Sequence, residues 1–191
     1  MFNAFIPFDG AVCEWVSANL HPGSGGFWDA FFTFVTHLGD GGVFWIVLAL
    51  LLLIPKQTRK AGIIMAIALI LDAVIVNGLL KHIFARPRPF DVDWTWRTYH
   101  YIFPDLIKTP TDFSFPSGHT AAAFAGAIGL WLGLRKPYAA AGVILAALIG
   151  FSRIYVGVHY ATDVLAGLVA GAVCAAAAYI IVLNIRVLRE N

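Results

Sequence analysis

Long apolar stretches constrain the fold of this chain more than any other feature of its sequence. A helix needs about 20 apolar residues to cross a bilayer, and five blocks are close to this length or longer: residues 27–54, 61–80, 118–134, 138–158 and 163–183. Because lipid offers no partner to an unpaired backbone group, each block should be a helix. Charged residues make up only 13% of the chain, against about a quarter in soluble domains. The sequence therefore predicts one all-α integral membrane domain over residues 1–191, with a transmembrane helical bundle over 27–185.

The first 24 residues are apolar overall but carry polar interruptions. The interrupting residues are Asp9, Glu14, Asn19 and His21. Such a mixture favours an amphipathic helix that lies on the membrane surface, and a sixth span is the alternative. The bundle is thus predicted to have five to six transmembrane helices.

Basic residues in the loops predict the orientation of the bundle. One face has seven lysines and arginines: Lys56, Arg59, Lys60, Arg135, Lys136, Arg186 and Arg189. The other face has six: Lys81, Arg86, Arg88, Arg97, Lys108 and Arg153. Three of these six, Lys81, Arg88 and Arg153, have a second explanation as anion ligands. The positive-inside rule therefore places the first face in the cytoplasm.

A long loop, residues 81–117, connects the second and third spans. It is rich in aromatic residues and proline: Pro87, Pro89, Trp94, Trp96, Tyr99, Tyr101, Phe103, Pro104 and Pro110. Because Trp and Tyr favour the headgroup depth of a bilayer, we expect this loop to cover the bundle at the membrane interface.

Three short strings at the edges of the apolar blocks carry the chemistry, and the order of the spans brings them to one membrane face. The first is Lys81-x6-Arg88-Pro89. Its two cations could bind a doubly charged phosphate, since the arginine fork matches two phosphate oxygens. The alternative is a pair of interface cations whose side chains extend toward the headgroups.

The second string, Pro116-Ser117-Gly118-His119, begins the third span. Ser117 suits a helix N-cap, and Gly118 lets an anion approach the backbone N–H groups closely. Those groups and the helix dipole attract phosphate, and His119 would then lie close enough to protonate a leaving oxygen. An ordinary capped helix with an interfacial histidine explains the string equally well.

The third string is Ser152-Arg153-x5-His159-x3-Asp163. The i, i+4 spacing puts His159 and Asp163 on one helix face. Asp163 could hold one imidazole nitrogen and leave the other free as a nucleophile, and Arg153 adds a third cation. A structural His–Asp pair is the alternative. A metal site on His119, His159 and Asp163 is disfavoured because three cations would repel the ion.

Three further residues flank the first string. Asn77 lies one helical turn before Lys81 and could touch the site. His82 and Arg86 could contact a second phosphate of a diphosphate, or they could be solvated groups at the interface.

Together the three strings resemble, residue for residue, the signature K-x6-RP, PSGH and SR-x5-H-x3-D of the type 2 phosphatidic acid phosphatase family. This family shares a superfamily with the vanadium-dependent haloperoxidases. The motifs cover residues 77–167, and the layout of the spans extends the resemblance to 27–185. The resemblance implies an acid phosphatase/vanadium haloperoxidase-like core and a membrane lipid phosphatase without a metal or other cofactor. Small bacterial undecaprenyl-diphosphate phosphatases are similar in size and layout.

The resemblance also implies residue roles. His159 would be the nucleophile that forms a phosphohistidine intermediate, Asp163 would orient it, and His119 would be the general acid that later assists the attack of water. The phosphoryl group would be held by five residues: Lys81, Arg88, Arg153, Ser117 and Gly118.

The expected substrate is a lipid phosphate or diphosphate in the bilayer, with the conversion of undecaprenyl diphosphate to undecaprenyl phosphate as the first choice. Phosphatidylglycerophosphate, phosphatidate and diacylglycerol diphosphate are alternatives, because the three strings contact only the phosphate. A non-enzymatic transporter or structural membrane protein is the alternative of another class. We expect a multi-pass protein of the bacterial inner (plasma) membrane whose active site faces the periplasm or the cell exterior. No nucleic-acid partner is expected, and the oligomeric state is open.

Overall fold

A computed structural model of the protein describes residues 2–20, 26–91, 106–134 and 137–185. All regular structure in these ranges is helical, which confirms the predicted fold class. Several residues behind the predictions of an aromatic cap and of orientation lie outside the described ranges: Trp94, Trp96, Arg97, Tyr99, Tyr101, Phe103, Pro104, Arg135, Lys136, Arg186 and Arg189.

Eight α-helices form the described framework, and we number them along the chain. Their bounds are α1 Ile6–Leu20, α2 Phe27–Leu38, α3 Val43–Leu53, α4 Arg59–Asp72, α5 Lys81–Phe84, α6 Gly118–Leu134, α7 Ala140–Tyr155 and α8 Ala161–Asn184. Short 3-10 turns connect or precede some of them: Phe2–Phe5, Asp40–Gly42, Pro89–Asp91 and Pro137–Ala139.

The first predicted span is broken into two helices. A 3-10 turn, Asp40–Gly42, separates α2 from α3, and the two helices are bent by 44°. Gly41 and Gly42 have φ values of 57° and 66°, a backbone conformation that glycine adopts without steric cost. The break therefore follows from the glycines, and it brings Asp40 to the same end of the bundle as the three strings.

The second predicted span is continuous but changes its winding. After α4 the chain forms a π-helix, Ala73–Leu80, and then returns to α-helix in α5. A π-helical stretch changes which side chains face the bundle and occurs often at functional sites. Here it puts Asp72, Asn77 and Lys81 along one side of the same cavity.

The centre of the bundle is α6, which packs closely against α8. Gly167 and Gly171 of α8 lie directly on the backbone of α6: a Cβ added at these positions would be 2.6 Å from the Ser117 carbonyl oxygen and 2.3 Å from that of Ala121. Small residues at these positions allow the two helix backbones to approach this closely. The close packing also fixes the start of α6 beside the start of α8, where the Ser117 N–H donates to the Asp163 carbonyl oxygen at 3.1 Å.

Two helical stretches among the described residues are long and apolar enough to cross a bilayer alone, Arg59–Asp91 and Ala161–Asn184. The bent pair α2 and α3 makes a third if it counts as one span. Helices α6 and α7 are also apolar but shorter, with 17 and 16 residues. Their positions match the predicted third and fourth spans, and the predicted total of five to six spans stays a prediction.

The N-terminal segment forms α1, which packs against the bundle through Asp9, Cys13 and Val16. Its other side exposes Phe8 and Trp15. A surface position in the membrane, predicted from the polar interruptions, stays a prediction. The buried Asp9 has a different role, because it contacts the start of α8.

The close contact between α6 and α8 gives a prediction about stability. Gly171→Ala should lower the free energy of unfolding by about 1–3 kcal/mol, because the added Cβ overlaps backbone atoms that cannot move aside. Gly142→Ala in α7 is the matched control, since its Cβ would meet nothing closer than 3.4 Å. Thermal unfolding in detergent measures both variants. Equal unfolding temperatures for the two would contradict this packing.

Candidate active site

The three strings meet at one cavity of about 290 Å³ between the helix ends. Its lining includes seven of the residues predicted from the sequence: Asn77, Lys81, Arg88, Gly118, His119, Arg153 and His159. These residues come from the end of the second span, the start of α6, the end of α7 and the turn that follows it. The spatial grouping expected from the span order is therefore present.

The geometry at His159 matches the predicted orientation by Asp163. The ring is buried, and its Nδ1 lies 3.4 Å from Asp163 Oδ2 and 3.4 Å from Ser114 Oγ. Its other nitrogen, Nε2, lies 3.3 Å from Arg88 Nη1. Burial is the largest cause that lowers the pKa of His159 well below its ordinary value, and the charges of Arg88 and Arg153 lower it further. The ring is therefore neutral near pH 7, with Nε2 available as a lone-pair donor.

Asp163 is fully buried and held from several directions. Arg86 Nη1 donates to its Oδ1 at 2.6 Å, and the Tyr160 backbone N–H donates to its Oδ2 at 3.0 Å. The Ser114 hydroxyl donates to the same Oδ2. The Tyr160 contact is part of a capping box at the start of α8. The carboxylate that faces His159 is thus fixed by the helix start itself.

Arg86 corrects one of the interpretations left open by the sequence. It is not a solvated interface group, because only 4% of the residue is exposed. Besides Asp163 it contacts Asp9 Oδ2 at 2.8 Å and the Thr162 hydroxyl at 2.8 Å. Its guanidinium carbon lies 3.9 Å from the Tyr160 ring centroid, a cation–π distance. Arg86 therefore lies behind the His–Asp pair.

Arg88 and Lys81 share one internal carboxylate, Asp112. Arg88 Nη2 donates to Asp112 Oδ1 at 2.6 Å, and Lys81 Nζ donates to Asp112 Oδ2. Arg88 is fixed further by the carbonyl oxygens of Asp112 and Val158, each at 2.7 Å. Burial alone raises the pKa of Asp112, but the hydrogen bond and charge of Lys81, together with Arg88, hold it well below its usual range. The carboxylate is therefore ionised and neutralises part of the cation cluster.

Arg153 has no carboxylate within ion-pair distance in the part of the chain that the structure describes. Only 3% of the residue is exposed, Nη1 donates to the Thr36 hydroxyl at 2.6 Å, and Nε has no partner among the described residues. A buried cation without a counter-charge is costly. Its position on the cavity wall suits an anion that would supply the missing charge.

The start of α6 has the geometry of a capped helix beside the cavity. Ser117 is buried, and its Oγ accepts from the Thr120 N–H at 3.4 Å and the Thr120 hydroxyl at 2.9 Å. The predicted N-cap is confirmed, while phosphate binding by this hydroxyl stays a prediction. Gly118 lies against Asn77, since an added Cβ would be 2.3 Å from Asn77 Oδ1. Asn77 therefore touches the site, as its spacing from Lys81 suggested.

His119 has a partner that the sequence did not assign to it. Its Nε2 lies 2.9 Å from Asp40 Oδ1, and the other oxygen of Asp40 lies 2.8 Å from His37 Nδ1. Asp40 lies outside the three strings. The glycines around it could have drawn attention to this position, but nothing local indicates a contact 79 residues away.

His82, like Arg86, is a flanking residue that does not line the cavity. It is exposed, and its ring contacts the edge of Phe113 at a centroid distance of 6.1 Å. Sequence reasoning missed several residues that touch the predicted ones, among them Thr36, Asp40, Asp112 and Ser114. Asp112 and Ser114 lie just before Pro116, so their proximity to the second string was the available signal.

The shared carboxylate gives a prediction about phosphate binding. Asp112→Asn should lower the apparent unfolding temperature of the ligand-free protein, because Lys81 and Arg88 lose their counter-charge. The same change removes a competitor for the cations. The rise in unfolding temperature with inorganic phosphate should therefore be larger in the variant by about 2 °C or more.

Glu14→Gln on the exposed side of α1 is the control for the loss of one carboxylate. An equal phosphate-induced rise in Asp112→Asn and in the unchanged protein would show that Asp112 does not compete with phosphate.

Known proteins match this chain over the region that contains the three strings. The profile of the PAP2 superfamily matches residues 59–186, which include all three strings. The undecaprenyl-diphosphatase of Sulfolobus acidocaldarius is 38% identical over 129 residues, covering 66% of this chain and 58% of that protein. Undecaprenyl-diphosphatase BcrC of Bacillus subtilis is 35% identical over 144 residues, covering 74% of this chain and 68% of the relative. The chain thus spans less than two thirds of the archaeal relative.

Two crystal structures have the same fold. LpxE of Aquifex aeolicus superposes with a TM-score of 0.68 at 32% identity, covering 90% of this chain and 94% of that one. The transmembrane PAP2 type phosphatidylglycerolphosphate phosphatase of Bacillus subtilis gives a TM-score of 0.72 at 25% identity, with 96% and 89% covered. The matched profile, the relatives and the shared architecture agree that the chain belongs to the PAP2 superfamily of membrane phosphatases.

Proposed function

We propose that this chain is a membrane lipid phosphatase that removes the terminal phosphate of a lipid diphosphate, with undecaprenyl diphosphate as the preferred substrate. One observation carries the proposal: two histidines and three cations line one cavity. Two of these cations, Lys81 and Arg88, pair with Asp112, whose side chain is partly exposed. A phosphate could replace that carboxylate and also neutralise Arg153.

The first chemical step would transfer the phosphoryl group to His159. Nε2 attacks phosphorus, a P–N bond forms, and the bond from phosphorus to the leaving oxygen breaks. His119 gives its proton to that oxygen. Lys81, Arg88 and Arg153 stabilise the charge on the three equatorial oxygens, which is the main catalytic task in phosphoryl transfer.

The second step would release phosphate. Water attacks the phosphorus of the phosphohistidine, gives a proton to the now neutral His119, and the P–N bond breaks. Both histidines return to their starting protonation states. Asp163 supports both steps, because it holds Nδ1 of His159 and stabilises the positive ring in the intermediate.

The other wall of the cavity supports a lipid substrate. It is formed by the apolar side chains of Ile46 on α3 and Leu69 on α4, with Ala73 and Ala122. Nearby exposed residues on α3, α4 and the π-helix that follows α4, namely Val43, Ile70 and Val74, are also apolar. A prenyl or acyl chain could lie along this wall while its phosphate reaches the cations.

The choice of lipid draws on the relatives. Two of them, at 38% and 35% identity, are named undecaprenyl-diphosphatases. Phosphatidylglycerophosphatase B of Bacillus subtilis is 34% identical over 151 residues, so a phosphatidylglycerophosphate, phosphatidate or diacylglycerol diphosphate phosphatase is the second candidate.

A non-enzymatic transporter is disfavoured by the superfamily and by the ordered His–Asp pair. We place the active site on the outer face of a bacterial plasma membrane, following the positive-inside rule.

The test is a substrate panel with purified protein in detergent. Phosphate release should be fastest from undecaprenyl diphosphate, should persist in EDTA because fixed cations hold the phosphoryl group, and should be lost in His159→Ala. Acid-labile phosphate on the protein after rapid quenching should disappear in the same variant.

Glu14→Gln, which changes an exposed residue of α1, should retain full activity. Activity that EDTA abolishes and Mg²⁺ restores would contradict the cation-based mechanism. Faster release from phosphatidylglycerophosphate would favour the second candidate.

A further inference from the structure

We propose that Asp40 is a positioning residue for the general acid: it orients the His119 ring and stabilises its protonated form. The inference rests on the proposed function, because it assumes that His119 gives a proton to the leaving oxygen. Asp40 lies outside the three strings and outside the matched residues 59–186. Nothing in the sequence motifs therefore assigns it a role.

The geometry is that of two histidines on one carboxylate. Asp40 Oδ1 lies 2.9 Å from His119 Nε2, and Oδ2 lies 2.8 Å from His37 Nδ1. His37 is in the last turn of α2, and it fixes the carboxylate through the oxygen that His119 does not contact. The Asp40 contact occupies Nε2 of His119 and leaves Nδ1 as the nitrogen that can serve the leaving oxygen. The arrangement parallels that of Asp163 on the other catalytic histidine.

The break between α2 and α3 makes this contact possible. A Cβ at Gly39 would lie 2.9 Å from His119 Cδ2 and 2.8 Å from Ile149 Cγ2. Only a glycine at this position lets the turn approach the histidine ring so closely. The next residue, Asp40, is thereby placed beside His119.

The contact contributes little to folding. The Asp40 side chain is 56% exposed, and exposed ion pairs are worth little to stability. His119 is much less accessible, with 24% of its side chain exposed. The contact therefore contributes more to the orientation and charge of the His119 ring than to the stability of the fold.

The charges around His119 explain why a carboxylate is needed. Arg153 of α7 and Lys81 of α5 both act on the ring electrostatically, and His159 lines the same cavity. Burial of the ring disfavours its protonated form most, and the charges of Arg153 and Lys81 disfavour it further. Asp40 is the described carboxylate that hydrogen-bonds the ring, so it opposes these effects and favours a proton on the ring.

The experiment compares Asp40→Asn with the unchanged protein on its best lipid substrate across pH. Loss of the carboxylate should lower kcat/KM by about 10- to 100-fold. This is less than the full contribution of a general acid, about 10²- to 10⁴-fold, because His119 itself is still present. The basic limb of the kcat/KM profile should move to lower pH, because the acid loses its proton more easily. KM should change little, since Asp40 does not contact the phosphate ligands.

A second measurement uses two leaving groups. Phenolate leaves less readily than p-nitrophenolate and depends more on a proton from the acid. Asp40→Asn should therefore reduce kcat/KM strongly for phenyl phosphate and by less than about threefold for p-nitrophenyl phosphate. Asp40→Glu, which keeps the charge, should recover part of the loss, and Glu14→Gln should behave as the unchanged protein.

The outcomes separate the two proposals. If the unchanged protein hydrolyses no phosphate substrate, the proposed function and this inference both fail. If the unchanged protein is active but Asp40→Asn has an unaltered pH profile, or loses the same factor for both leaving groups, only the role of Asp40 is overturned. Thermal unfolding equal to that of the unchanged protein shows that the variant is folded.

Discussion

The guanidinium of Arg86 is buried between two carboxylates, and the rest of the site depends on this arrangement. One carboxylate, Asp163, faces the nucleophilic histidine, and the other, Asp9, belongs to the N-terminal helix and also accepts from the Thr162 N–H at 2.8 Å. Removing one partner of a buried ion pair is strongly destabilising, by about 3–5 kcal/mol, because a charge is left unpaired. Arg86 therefore holds Asp163 beside His159 and ties α1 to the start of α8. The segment with the weakest signal in the sequence thus supports the chemical centre.

The cations of this region fall into two groups with different partners. Arg86 is neutralised entirely by the protein, and aromatic rings cover its faces. Lys81 and Arg88 share one partly exposed carboxylate, and Arg153 has a hydroxyl partner in Thr36. The second group retains an excess of positive charge at the cavity, while the first does not. All four cations are buried at the same end of the bundle. Arg86 has a structural role, whereas Lys81, Arg88 and Arg153 are proposed to bind phosphate.

Much of this could be predicted from the sequence, because its main signals are local. Span lengths gave the positions of α6 and α8 within a few residues, and the i, i+4 spacing gave the contact between His159 and Asp163. The contacts of Asp40 with His119 and of Arg86 with Asp9 could not be predicted, since each joins residues more than 75 positions apart. They depend on the bend between α2 and α3 and on where α1 packs. The internal carboxylate at Asp112 was missed for a related reason: a motif identifies the cations but not what neutralises them in the absence of substrate.

The central claim is that His119 and His159 serve one phosphoryl group held by Lys81, Arg88 and Arg153. An experimental structure of the chain with orthovanadate tests it most directly, because five-coordinate vanadate imitates phosphorus during transfer. The account predicts vanadium bonded to His159 Nε2, the three cations on its equatorial oxygens, and His119 facing the opposite apical oxygen. Vanadate bonded elsewhere, or a bound vanadate that only one of the two histidines contacts, would contradict the account.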